Sequence, residues 1–300
     1  MTTNNITASA LPNKSLGGQE IAIRIGVYAF LLSAAIFFVL PLYVMLVTSF
    51  KTMPELREGS MLALPGSINL DAWITAWSSA CTGLDCRGIS PGFFNSIKIV
   101  VPSLILSIGF GAVNGYALAL WKFPGADRVA AFITLGLFIP YQVVMIPIVK
   151  IFSAVGLQGS LVSIVAVHVL FGLPFMTMLF RNFYAGLPND LLRAAVMDGG
   201  GFWSIFRHIM LPLSTNVGIV AMIWQFTGIW NDFLLGLIFA GRNNVPMTVE
   251  LNNIVNVSFG EVHYNVNMAA TLLTAIPPLL IYFISGKYFV RGVTAGAIKG

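Results

Sequence analysis

Leu187-Pro188-Asn189-Asp190-Leu191-Leu192-Arg193-Ala194-Ala195-Val196-Met197-Asp198-Gly199-Gly200-Gly201, continued by Phe202 through Pro212, interrupts two long apolar stretches at roughly 160–180 and 213–240. Its pattern predicts two short helices around a glycine turn. Asn189 or Asp190 is suited to cap the first, over Leu191 to Met197, because their side chains accept hydrogen bonds from free first-turn amides. Three glycines then end it. A second helix over Phe202 to Met210 sets Phe202 beside Phe206 and Ile205 beside Ile209 at i, i+4, and Leu211-Pro212 is expected to open the next apolar segment. The result is a polar-flanked helix-turn-helix with one apolar face, and hydrophobic surface of that kind asks for a cover.

Working outward, the chain of 300 residues is 57% hydrophobic and 9% charged, far below the roughly one quarter charged of soluble chains. Lipid is therefore the expected solvent. Apolar segments at about 25–50, 97–121, 129–152, 160–180, 213–240 and 267–290 each meet the ~20 residues needed to cross a bilayer. This predicts an all-α membrane protein of six spans within 25–290. A polar tail, 1–24, precedes them, a loop, 51–96, follows the first, the helical hairpin occupies 182–212, and a short tail, 291–300, closes the chain. The first apolar segment exceeds a signal-peptide core and lacks a cleavage pattern, so it is expected to remain as a span. Pro41, Pro102, Pro140, Pro147, Pro174, Pro277 and Pro278 fall inside spans, either as kinks or as breaks lining a pathway.

Positive charge is retained on the cytoplasmic side of membranes. With the N-terminus inside, that side collects Lys14, Arg24, Lys122, Arg128, Arg181, Arg193, Arg207, Lys287, Arg291 and Lys299, against Lys51, Arg57, Arg87, Lys98, Lys150 and Arg242 outside. Both termini and the hairpin are then expected in the cytoplasm. The 51–96 loop carries Trp73, Ile74 and Trp77, enough to pack as an external cap, and both cysteines, Cys81 and Cys86. An oxidising compartment would join them in a disulfide; the alternative is two free thiols.

Enzyme chemistry finds no footing in the sequence. His168, His208 and His263 lie in separate segments, so no metal-binding spacing is formed. Ser285-Gly286-Lys287 looks like the end of a phosphate loop, but Ile281 stands where that loop needs glycine. The net charge of +5 comes from scattered residues, without a basic run interleaved with aromatics, which argues against nucleic acid. No cofactor and no metal are expected in this chain.

The hairpin resembles the coupling motif of bacterial ABC importer permeases, E-A-A-x-x-x-G, nine residues, then I-x-L-P. Ala194, Ala195, Gly199, Ile209, Leu211 and Pro212 match in type and spacing, while Arg193 stands in place of the glutamate. Asn95-Ser96, Gly115-Tyr116-Ala117, Trp230-Asn231-Asp232-Phe233 and Gly292 through Gly300 extend the resemblance to the carbohydrate branch that includes the maltose system's smaller permease. Val245 to Val249, Leu251-Asn252-Asn253 and Tyr264-Asn265-Val266 are similar to glucose and mannose permeases.

The resemblance implies the MetI-like permease fold in the bacterial inner membrane, surrounded by lipid. The implied partners are a second permease, a dimer of ATP-binding subunits that hold the ATP, and an extracytoplasmic sugar-binding protein. It implies contact with the ATPase through Arg193, Ala194, Ala195, Asp198, Gly199, Phe202, Phe206, Ile209, Leu211 and Pro212, and through a tail with Thr294, Gly296 and Lys299. Polar and aromatic residues in the spans, Tyr141, Gln142, His168, Gln225, Trp230, Asn231 and Asp232, are candidates for a sugar pathway, the alternative being interhelical hydrogen bonds. A gradient-driven secondary transporter is the alternative function; it would need ionisable groups at membrane depth, where only His168 and Asp232 come near.

Overall fold

The computed structural model describes the backbone of residues 18–82, 85–121, 123–256 and 261–297, with side chains through Gly286. Among the described residues the regular elements are helices, beside one isolated bridge between Thr82 and Asp85. In chain order these are α1 (Gly18–Ser49), α2 (Met53–Glu58), α3 (Asp71–Ser78), α4 (Ser90–Leu120), α5 (Ala126–Gly136), α6 (Tyr141–Ala154) and α7 (Leu161–Ala185). There follow α8 (Asn189–Met197), α9 (Phe202–Ile205), a π turn (Phe206–Met210), α10 (Leu211–Leu213), α11 (Thr215–Trp230), α12 (Leu234–Phe239), α13 (Met247–Val255) and α14 (Tyr264–Ala297). Among the described residues four helices are long and apolar enough to span a membrane, or up to six when two bent pairs each count as one span.

The bent pairs are α5 with α6, at 100°, and the hairpin's second helix with α11, at 75°. Thus the third expected span is a broken element, with its break at Leu137 to Pro140. The fifth, read from sequence as one run to residue 240, ends at Trp230 and resumes as the separate α12. The second opens at Ser90, because Pro91 fits the first turn of a helix, where no amide donor is needed.

Helices α4 and α7 make the most extensive contact in the chain. A Cβ on Gly111 would lie 2.5 Å from Met176 Cβ and 2.9 Å from its carbonyl carbon, and one on Gly115 would lie 2.6 Å from the Arg181 amide nitrogen. Backbone therefore meets backbone. In lipid, helices gain little from hiding apolar surface, so association rests on close packing of small residues and interhelical hydrogen bonds. Helix α4 holds 31 residues, about 45 Å at the usual rise, so its ends lie on opposite sides of a bilayer.

At the Ser90 end the loop before α4 folds into a cap. Ala72, Ala76 and Ala80 are buried with Met247 and Ile254, Phe50 stacks on Trp73, and the Ile89 amide donates to the Ala76 carbonyl at 2.9 Å. Cys81 and Cys86 are joined in a disulfide. Arg57 pairs with Glu261, and Arg87 with Asp85. Glu250 of α13 packs against Gly92 beneath this loop, and burial lifts its carboxyl above the usual carboxylate range, opposed by a Thr82 hydrogen bond and the Arg87 charge.

Gly115→Val is expected to destabilise the fold by roughly 2 kcal/mol, because the added carbons meet backbone that cannot rotate away. Thermal unfolding of the detergent-solubilised protein measures this, and an unchanged transition would contradict the close contact.

Candidate functional site: the helical hairpin between α7 and α11

Helix α8 ends by geometry its glycines permit. Gly199 takes φ +83°, the Gly200 amide donates to the Ala195 carbonyl at 2.9 Å, and the Gly199 amide donates to the Val196 carbonyl at 3.0 Å. This pair of crossed hydrogen bonds, with a left-handed residue one past the cap, satisfies the last carbonyls of the helix. Asn189 and Asp190 do not cap its start. The N-cap is Pro188, without a side-chain bond, and Asp190 sits in the first turn, where its charge suits the helix dipole. Arg193 approaches Asp190 at 4.0 Å, both largely exposed, an arrangement worth little to stability.

The hairpin's apolar face is divided between the chain's own bundle and its surface. Ala195, Ile205, Phe206 and Met210 are buried in one cluster with Tyr116, Met176, Phe180 and Tyr184. Ala195, one of the residues implied to contact the ATPase, instead has its side chain buried within its own molecule. What stays outside is Val196, Met197 at 86% exposure and Trp203 at 65%. Arg193, Ala194, Asp198, Leu211 and Pro212 are also exposed, whereas Phe202 and Ile209 are half-buried.

The second helix is not a uniform α-helix to Met210. Its first turn is α, then Phe206 to Met210 form a π turn in which the Leu211 amide donates to the Phe206 carbonyl. The expectation that Leu211-Pro212 opens the next span is also corrected. Pro212 falls in the three-residue α10, the Ser214 hydroxyl turns back onto the Leu211 carbonyl at 2.9 Å, and α11 starts beyond the bend. A π turn, a proline without an amide donor and a hydroxyl bonding the backbone are each known causes of helix bending.

The residues proposed for a sugar pathway are mostly spent inside the bundle. Gln225 Nε2 donates to Ser107 Oγ at 3.2 Å and lies 3.5 Å from the His168 carbonyl oxygen, filling the space above Gly172. Trp230 Nε1 donates to the Thr274 carbonyl at 3.0 Å, and its ring is covered by Phe226, stacked at 5.5 Å, and by Phe93 edge-on. It offers no face to a ligand, which corrects its candidacy. Asp232 accepts the Gly236 amide at 2.9 Å, and its carboxylate lies 4.0 Å from His168 Nε2. Tyr141 rests against Phe171. Gln142 and Asn231 are exposed.

Sequence reading missed the groups that fasten the segment after α11. Ser96 Oγ accepts the Met247 amide at 2.9 Å, Asn95 Nδ2 donates to the Val245 carbonyl at 3.2 Å, and the Thr248 hydroxyl donates to the Asp232 carbonyl at 2.6 Å. The Asn95-Ser96 and Val245 to Thr248 runs were visible as motifs, but their mutual contact spans about half the chain and leaves no local signature.

Residues 107–295, which include α7, the hairpin and α11, match the family model described as binding-protein-dependent transport system inner membrane component. The chain belongs to this family. A probable ABC transporter permease from Pyrococcus horikoshii is 42% identical over 174 residues, covering 58% of this permease and 62% of that protein. The alpha-glucoside transport system permease of Rhizobium meliloti is 34% identical over 224 residues, 72% of this chain and 58% of the other. The matched segments thus span about three fifths of these relatives' own length. A solved bacterial ABC transporter that imports the acidic polysaccharide alginate shares the fold, with TM-score 0.79 at 19% identity over 93% of this chain and 100% of that one. These relatives are membrane permeases, not enzymes.

Helix α14 runs through Ala297, so Thr294 and Gly296, read from sequence as part of a separate tail at 291–300, lie on that helix; Lys299 lies outside the described residues. Ala195 and Gly199, two of the hairpin's small residues, should fail differently. Ala195→Trp is expected to lower the unfolding temperature of the isolated permease, since its site is filled from within. Gly199→Val faces open space and strains only the turn, by about 1 kcal/mol or more. Parallel melting curves check this, and equal effects would show that Ala195 is not packed as described.

Proposed function

We propose that this chain is one of two permease subunits of an ATP-driven sugar importer in a bacterial inner membrane, with both termini and the hairpin in the cytoplasm. The observation that carries the reading is the hairpin: an internally braced pair of helices that presents Met197, Val196 and Trp203 outward, in a family of binding-protein-dependent systems. An ATP-binding dimer grips that outward edge. Closure of the dimer pushes the hairpin, and the push, passed into the bundle against which the hairpin is packed, reorients the broken spans. An extracytoplasmic binding protein delivers the sugar at the capped, disulfide-bearing end.

Carbohydrate is the substrate class that the alpha-glucoside and alginate systems have in common. A mono- or short oligosaccharide of glucose or mannose type is the first choice, on the resemblance of the 245–249 and 264–266 runs. Those runs are tied up by Ser96, Asn95 and Lys51 contacts, so they would act by shaping the break after α11 and not by touching sugar. Exposed Asn231 and Gln142 remain the polar groups able to face a pathway shared with the second permease.

The test is affinity purification of the tagged permease from its native membrane, followed by ATP hydrolysis and uptake of a sugar panel in vesicles. An ATPase should co-purify, and Trp203→Ala should weaken that association roughly thirtyfold, as truncating a central aromatic contact does. A permease that purifies alone, or uptake that survives ATP depletion and collapses with an uncoupler, would defeat the proposal.

A further inference from the structure

Tyr116 is fully buried near the end of α4, immediately after Gly115, and four aromatic rings enclose it. Ring centroids lie at 4.7 Å to Phe202, 5.4 Å to Phe206, 6.0 Å to Tyr184 and 6.2 Å to Trp121. Two of these belong to the hairpin's second helix, one to α7, and one follows α4. Its hydroxyl donates to the Phe202 carbonyl at 3.2 Å. That carbonyl opens α9, and the Phe206 amide is shared between it and the Trp203 carbonyl, at the point where the helix widens into the π turn.

Among the routes that lead from the hairpin into the bundle, two stand in contrast. The covalent route runs through the π turn, Pro212 and the bend at Ser214, and it borders an open apolar groove of about 630 Å³ lined by Phe110, Val113, Trp203, Phe206 and Gly218. On that flank the groove leaves the helix without packing from its own chain, and the π turn and the bend lie in series along the path. The other route runs through Tyr116, without a gap: Phe202 on one side, and on the other Gly115, whose backbone abuts Phe180 and Arg181 of α7. A displacement arriving at Phe202 therefore reaches α4 and α7 together, at their tightest contact.

We infer that Tyr116 is a positioning residue for energy coupling: its hydroxyl keys the hairpin to α4, so that motion of the hairpin drives the α4–α7 pair instead of being lost in the π turn. The inference rests on the importer reading above. It concerns the step between ATP closure and rearrangement of the spans, and Tyr116 touches neither ATP nor sugar.

Tyr116→Phe keeps the ring and removes only the hydrogen bond. In the reconstituted complex it should leave the amount of co-purified ATPase and the hydrolysis rate unchanged, while the ATP consumed per sugar imported rises roughly three- to tenfold, the size of effect one lost buried hydrogen bond supports. Tyr116→Leu, which also removes the ring, should lower the unfolding temperature as well. A wild-type ratio of ATP to sugar in Tyr116→Phe overturns the inference, whatever Tyr116→Leu does, because the residue would then serve packing alone. Loss of ATPase from the Tyr116→Phe complex overturns it too, since the hydroxyl would be acting in assembly. Absence of ATP-coupled uptake in the wild-type complex would bring down the importer reading first, and this inference with it, before any variant is compared.

Discussion

The contact of α4 with α7 through Gly111 and Gly115 is the constraint from which the rest of the bundle follows. Within lipid the backbone must satisfy itself, so each span is a helix, but that condition does not choose partners. Partner choice comes from where backbones can approach. Once α7 lies in the groove left by those glycines, Gly172 is set to receive Gln225 from α11, and Gly136 at the end of α5 meets the Pro174 ring. Tyr116 and Tyr184 meet as neighbouring rings at one end of the pair, creating the aromatic seat for the hairpin.

The polar side chains of the interior serve this arrangement. A polar group buried without a partner costs several kcal/mol at membrane depth; Gln225 and Trp230 find theirs on other helices, and Asp232 accepts the Gly236 amide at the start of the following helix. Residues that by type alone invite a ligand are, by position, interhelical fasteners. Of the seven polar and aromatic candidates in the spans, Gln142 and Asn231 stay exposed.

Much of this was legible in the sequence. The apolar runs pointed to the helical membrane class, the glycines at 199–201 with the Phe202/Phe206 and Ile205/Ile209 pairs to the hairpin, and the spacing of Ala194, Ala195, Gly199 and Ile209 to its family. What could not be read depended on contacts distant in sequence. The breaks at Leu137 to Pro140 and after Trp230 are invisible to hydropathy, because an apolar residue scores alike in a straight span and in a bent one. The cap at Pro188 escaped because Asn189 and Asp190 are suitable by chemistry yet already lie inside the helix. Trp230 was misjudged because only the fold reveals that Phe93, far earlier in the chain, covers its ring.

The first helix has a different history from the others. Helix α1 has the highest mean hydropathy of the candidate spans, 2.6, and almost none of its apolar window is buried. Its principal neighbour is α14, and the seam is closed where the side chain of Asn265, 214 residues further along the chain, donates to the Lys51 carbonyl at 3.0 Å. During synthesis α1 must therefore reside in the bilayer without this neighbour while the intervening helices are made. Its sequence is suited to that wait: 32 residues whose apolar surface is stable in lipid, and a polar latch that engages only when α14 arrives.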